Sequence, residues 1–332
     1  MPETKQEKVR LLGVGAYVPA QVMTNDDWAK YVDTSDEWIT ARTGIKRRHI
    51  AAENESSADF AVAAARCAMS KAGIKADAID EIIVATDTPE MRIPDTASFV
   101  QARLGAREVP AYDLGGGGCY GFLQGVDIAR SRVLSNGGNV LVVGLQLLLR
   151  LIDWKDRNSC VLFGDAAGAA VVGTSGEGPE ILAMASGTDG SQTSAISLPV
   201  GGTKMPFSLE NAQQNSHCQV WLEGRAVFKE AVRRMTQAAE AVLAKAGYKV
   251  DDVARVVPHQ ANLRIIEALA KNLRIPMERV FVNLQEYGNT GSASLPLALS
   301  EATEQGLIHK GDLVLLTAFG AGLHWGAALL RY

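Results

Sequence analysis

The sequence predicts an α/β protein built from two like halves, each a mostly parallel sheet with helices, and three observations carry that prediction. Ala72-Gly-Ile-Lys-Ala-Asp-Ala-Ile-Asp-Glu-Ile-Ile-Val-Ala85 resembles Ala246-Gly-Tyr-Lys-Val-Asp-Asp-Val-Ala-Arg-Val-Val-Pro-His259 without a gap. Gly138-Asn-Val-Leu-Val-Val143 resembles Gly311-Asp-Leu-Val-Leu-Leu316. Residues 113–119 line up with 283–289, and a glycine and a helical run follow each. Three matches in order, at a nearly constant separation of about 170 residues, indicate an internal duplication. Helices packed between two sheets account for the abundance of alanine and glycine. The halves are expected to divide near residue 175, with 1–175 carrying a cysteine nucleophile and 176–332 a histidine and an asparagine.

Taken in order, residues 9–14 read as a strand and Gly15-Ala-Tyr-Val-Pro19 as a turn. Thr24-Asn-Asp-Asp-Trp has the pattern of a helix N-cap followed by an acid-rich first turn. Residues 33–48 allow two readings. One is a solvated helix ending at Gly44. The other is a place where Trp38, Arg42 and the Lys46–Arg48 cluster stack an aromatic base and pair phosphates. Residues 56–71 form an alanine-rich helix closed by Gly73. The apolar, β-branched run 79–86 has the pattern of a strand buried on both faces, and 139–143 is a second. Gly164-Asp-Ala-Ala-Gly-Ala-Ala-Val-Val-Gly173 turns into a third, and 253–257 is the strand that ends at His259.

Composition narrows the function. Hydrophobic residues make up 47% and charged residues 21%, enough for a large core, and the net charge of −4 argues against bulk nucleic-acid binding. Only a local basic patch could recruit an acidic partner. The polar N-terminus has no apolar signal core, and the apolar run 140–149 is too short to span a bilayer and is broken by Gln146. Cys67, Cys119, Cys160 and Cys218 have neither pairing nor metal-ligand spacing, so the expectation is a cytoplasmic protein with free thiols.

Asp113-Leu-Gly-Gly-Gly-Gly-Cys119 is the stretch that points to chemistry. Four glycines lead into the cysteine, and Phe122, Val126, Ala129 and Val133 follow at helical spacing. Glycine permits a sharp turn and close approach. A helix start aims unpaired N–H groups and a positive dipole end at the sulfur, which predicts a lowered thiol pKa. Burial as a small core residue is the alternative. In duplicated α/β halves the loops at equivalent strand ends converge, so Cys119, His259 and Asn289 are expected to face one cleft. Taken singly, His259 could cap the helix beginning near Ala261, and Asn289 could be a turn residue or a helix cap.

The set formed by Cys119 in its Gly-rich loop, Val-Pro-His259-Gln-Ala-Asn262-Leu-Arg264 and Tyr-Gly-Asn289-Thr-Gly-Ser-Ala-Ser-Leu-Pro resembles the β-ketoacyl-acyl-carrier-protein synthase III family of thiolase-fold condensing enzymes. Asp33-Thr-Ser-Asp-Glu-Trp-Ile, Arg42-Thr-Gly-Ile, Phe163-Gly-Asp-Ala-Ala-Gly-Ala and Ala318-Phe-Gly-Ala-Gly-Leu-His-Trp-Gly extend the likeness from about residue 9 to the C-terminus. The resemblance implies a five-layer αβαβα, thiolase-like fold. It implies a cytoplasmic homodimer in which the loop near Ile93, before Pro94, reaches the partner's acyl pocket. It implies an acyltransferase that loads Cys119 from an acyl-CoA and condenses that acyl group with malonyl-acyl carrier protein, initiating fatty-acid synthesis. No metal or prosthetic group is implied; coenzyme A enters as a thioester substrate.

By the same resemblance the side chains of His259 and Asn289 hold the malonyl thioester oxygen, and the backbone N–H groups of Cys119 and Ala321 form a second oxyanion hole. Thr34, Trp38 and Arg157, with Arg42 nearby, hold the nucleotide end of coenzyme A. Gly224, Phe228 and Asn262 line the pantetheine tunnel, and Arg264 with Lys229 meets the carrier protein. Four features depart from the family pattern: one additional residue in the glycine run before Cys119, Tyr120 directly after it, Gly144-Leu-Gln146, and the apolar Leu147-Leu-Leu149. They bear on acyl-group size and on the acyl acceptor. A relative in specialised metabolism with another acceptor, and a non-catalytic partner subunit, are the alternatives. Retention of all three site residues speaks against the second.

Overall fold

The computed structural model describes residues 8–214 and 219–332; the cysteine expected to be free at Cys218 lies outside them. The chain runs β1 (Arg10–Tyr17), β2 (Gln21–Thr24), α1 (Asn25–Trp28), α2 (Asp36–Thr43), β3 (Arg47–Ile50) and α3 (Ser57–Ala72). It continues through β4 (Glu81–Ala85), α4 (Thr96–Leu104), β5 (Ala111–Leu114), α5 (Gly121–Asn136), β6 (Val140–Leu147), β7 (Asp165–Gly173) and β8 (Glu180–Thr188). Two short strands, β9 (Ile196–Ser197) and β10 (Trp221–Leu222), flank α6 (Leu209–Gln214). The remainder is α7 (Gly224–Ala246), β11 (Arg255–Pro258), α8 (Leu263–Leu273), α9 (Leu284–Tyr287), α10 (Ser294–Glu304), β12 (Leu313–Gly320) and β13 (His324–Arg331).

Local chemistry sets these boundaries. Thr24 and Asp27 close a reciprocal capping box at the start of α1. Gly44 and Gly73 end α2 and α3 in the left-handed region, at φ 81° and 68°. β1 extends to Tyr17, past the glycine expected to begin a turn, because its pairing with β7 continues to Ala167.

The large sheet has the order β11-β12-β13-β8-β1-β7-β6-β4-β5. The expected repeat is present in its pairing. β4 lies parallel to β6, which turns back antiparallel to β7; β11 lies parallel to β12, which turns back antiparallel to β13. Two details differ from the sequence expectation of separate, mostly parallel sheets. The halves are joined by backbone pairing at Arg10–Glu180. Antiparallel pairs also outnumber parallel ones, because each half returns through an antiparallel strand, β7 or β13, and β1 and β8 add to these.

Alternation along the strands creates the layers. In β6, Val140 and Val142 join a central cluster while Leu141 and Val143 face an outer one. In β12, Val314 and Leu316 face the same central cluster and Leu315 faces the opposite outer one. α5 and α10 fill the centre, α3 covers one outer face, and α7 and α8 cover the other. These three clusters separate five layers, helix–sheet–helix–sheet–helix. Among the described residues no helix is long and apolar enough to cross a membrane.

Candidate active site

The two halves present equivalent loops at the centre. A single 3-10 turn, Gly118–Tyr120, enters α5, and its counterpart, Gly291–Ala293, enters α10. Cys119 lies in the first turn and Asn289 just before the second. The Cys119 thiol faces Asn289 Oδ1 at 3.8 Å. Cys119, Asn289, His259 and Ala321 all line one largely apolar cavity of about 660 Å³, walled by side chains such as Leu148, Phe163, Met235 and Phe319.

Each group is held by neighbours from distant parts of the chain. Asn289 donates its backbone N–H to Leu162 O at 2.8 Å and accepts from Gly164 N at 3.1 Å, so the start of β7's approach fixes it. Its Oδ1 accepts the Gly291 N–H at 2.9 Å, which leaves Nδ2 as the free donor. Asn289 thus fills the turn role as well as the site role. The His259 N–H bonds Thr317 O in β12 at 2.8 Å, and the helix cap of α8 belongs to Asn262, whose Oδ1 accepts from Arg264 N at 2.9 Å. His259 is therefore free of capping duty.

Burial lowers the His259 pKa to about 3, so the imidazole is neutral at physiological pH. Its Nδ1 pairs with Ser294 Oγ. That oxygen also accepts the Gln260 N–H at 3.4 Å, and when its own proton goes to Nδ1 the ring hydrogen sits on Nε2.

The expected lowering of the Cys119 pKa is overturned. Burial, and then the charge of Asp87, push the thiol up to about 12. The magnitudes explain the sign. A helix N-terminus contributes roughly 0.3–1 kcal/mol, less than tenfold in ionisation, whereas full burial changes ionisation by about a thousandfold or more.

The cavity also takes in Gly224, Phe228 and Asn262. Asn262 Nδ2 donates to Arg42 O at 3.2 Å, and the Arg264 guanidinium donates to Ala41 O at 2.8 Å, which ties α8 to α2 beside the cavity. Two guanidinium groups lie over the Trp38 ring, Arg42 at 4.2 Å and Arg157 at 4.7 Å from its centroid. Thr34 Oγ1 is buried with no hydrogen-bond partner. Arg264 and Lys229 are exposed, and neither is part of the cavity lining. Ile93 is 87% exposed. Sequence analysis missed Asp87, which lines the cavity. Its one signal was its place, two residues beyond the carboxyl end of the buried strand β4.

The Cys119 thiol, the neutral His259 imidazole and the Asn289 carboxamide line one cavity in a duplicated five-layer fold of the thiolase type. The chain matches the family described as 3-oxoacyl-[acyl-carrier-protein] synthase III over residues 112–190 and its C-terminal part over 243–332. It is 47% identical over 323 residues to the β-ketoacyl-[acyl-carrier-protein] synthase III of Caldanaerobacter subterraneus subsp. tengcongensis, covering 97% of each chain. The crystal structure of the Aquifex aeolicus 3-oxoacyl-[acyl-carrier-protein] synthase III superposes with a TM-score of 0.90 at 47% identity, covering 98% of this chain and 100% of that one. The Thermus thermophilus enzyme superposes at 0.89 with 45% identity, covering 97% and 99%. The chain belongs to the 3-oxoacyl-[acyl-carrier-protein] synthase III family.

Proposed function

We propose that this protein condenses an acyl-CoA with malonyl-acyl carrier protein through an acyl-cysteine at Cys119, releasing carbon dioxide and a β-ketoacyl thioester. The observation that carries this reading is the 3.8 Å approach of Cys119 Sγ to Asn289 Oδ1 in an apolar cavity that His259 also lines.

In the first half-reaction the Cys119 sulfur bonds the acyl carbonyl carbon, the coenzyme A sulfur departs, and it takes the proton that Cys119 gives up. The oxyanion formed on the way is held by the backbone N–H groups of Cys119 and Ala321. Close packing of the two segments supports this, since a β-carbon on Gly118 would fall 2.6 Å from Ala321 N. In the second half-reaction the malonyl C–C bond breaks, carbon dioxide leaves, and the electron pair spreads onto the thioester oxygen. His259 Nε2–H and Asn289 Nδ2 donate to that oxygen, and a neutral imidazole does so without surrendering its proton. The carbanion then bonds the acyl carbon, and the Cys119 sulfur leaves.

Trp38 with Arg42 and Arg157 close to its ring suits an adenine with phosphates, and the unpartnered Thr34 hydroxyl offers a further contact. Gly224, Phe228 and Asn262 suit the pantetheine arm. Arg264 and Lys229 are the exposed cations for an acidic carrier protein. The protein acts in the cytoplasm as a homodimer, with Ile93 reaching the partner. Coenzyme A is a substrate, and the reaction uses no metal or prosthetic group.

Intact-mass measurement after exposure to acyl-CoAs of graded length tests this. A mass gain of one acyl group, absent in Cys119→Ser and reversed by malonyl-acyl carrier protein with formation of the β-keto product, is expected. No gain with any acyl-CoA, or a gain in Cys119→Ser, would overturn the reading.

A further inference from the structure

Two glycines of the run before Cys119, Gly116 and Gly118, and the Gln146 side chain meet around Asp87. The Asp87 carboxylate accepts the Gly116 N–H at 2.6 Å and the Gly118 N–H as well. Gln146 clasps it from the other side. Its Nε2 donates to Asp87 Oδ2 at 3.1 Å, and its Oε1 accepts the Asp87 backbone N–H at 3.3 Å. Gly118 is gripped at its other end too, where its carbonyl accepts from Ser292 Oγ at 2.7 Å. The Tyr120 ring stacks against that of His324, with centroids 6.5 Å apart.

A run of four glycines has more backbone freedom than any other loop of its length, so it cannot place a nucleophile unaided. Position comes from whatever grips it. A carboxylate only accepts hydrogen bonds, and here it finds three N–H donors: two loop amides and the Gln146 carboxamide. A glutamate at 146 would offer none and would repel it.

We propose that Asp87, clasped by Gln146, is the positioning residue that fixes the glycine loop and sets where the Cys119 sulfur stands for acyl transfer. The charge that holds the loop also disfavours a thiolate beside it, and the Cys119 thiol is pushed up partly by Asp87. The clamp therefore opposes ionisation of the thiol it places. Burial raises the Asp87 pKa, the hydrogen bonds from the loop and Gln146 and the nearby His324 act to lower it, and Cys119 is the other titratable group coupled to it.

The inference rests on Cys119 as the acyl acceptor, and two probes of the full-length protein keep the two readings apart. Asp87→Asn keeps the shape and one acceptor but removes the charge. Iodoacetamide should then alkylate Cys119 severalfold faster at each pH from 7 to 9, while single-turnover acyl transfer from acetyl-CoA or butyryl-CoA falls about tenfold. Gln146→Glu should also slow acyl transfer, and combining it with Asp87→Asn should restore much of the loss, because the carboxylate–amide pair is rebuilt with roles exchanged. A joint fall of alkylation and acyl transfer in Asp87→Asn, or no change in either, would overturn the clamp. If the wild type is alkylated but takes up no acyl group, the proposed function fails. The clamp is still decided by the alkylation profile: a higher rate at each pH from 7 to 9 in Asp87→Asn supports it, and an unchanged or lower one overturns it.

Discussion

His259 Nδ1 and Ser294 Oγ are hydrogen-bond partners across 35 residues, and a hydroxyl donating to Nδ1 keeps the ring hydrogen on Nε2. Ser294 begins α10, the counterpart of the nucleophile's helix, so the second half of the fold carries both the imidazole and the hydroxyl that holds it. Ser294→Ala frees the ring to take the other tautomer or to rotate. Decarboxylative condensation should fall roughly tenfold to a hundredfold, while acylation of Cys119 stays near the wild-type rate. Separate assay of the two half-reactions checks this, and equal loss in both would refute the role.

Burial governs the thiol. With Cys119 pushed up to about 12, its alkylation by iodoacetamide should rise about tenfold per pH unit from pH 7 to 9 without reaching a plateau. The thiolate fraction grows as pH rises, so the sign is an increase. His259, lowered to about 3, should add no inflection near neutrality. The Cys119→Ser protein supplies the blank. A plateau below pH 9 would show that the helix end outweighs burial after all.

Space behind the nucleophile is reserved for glycine. A β-carbon on Gly320 would lie 2.7 Å from Cys119 N, 2.7 Å from Gly117 O and 2.8 Å from Tyr120 N, all backbone atoms that cannot rotate away. Its φ of −153° is ordinary extended backbone, so the requirement is one of room. Gly320→Ala should displace the loop, lowering acyl transfer on the order of a hundredfold and stability by about 1–3 kcal/mol. Single-turnover acylation and thermal unfolding measure the two effects, and wild-type acylation would show that the loop tolerates the shift.

The sequence by itself determined the repeat, the buried strands and the three chemical groups. Period and caps are local properties, so residues 139–143 announced a strand buried on both faces and Gly44 and Gly73 announced two helix ends. The tertiary structure decided the rest. The Arg10–Glu180 junction and the antiparallel returns depend on which strands meet. The ionisation of Cys119 followed from the surrounding volume, whose effect exceeds that of the helix end that the sequence displays. Asp87 sits 32 residues before Cys119 and 59 before Gln146, separations at which no local pattern marks a contact, and only folding brings its carboxylate to the glycine loop.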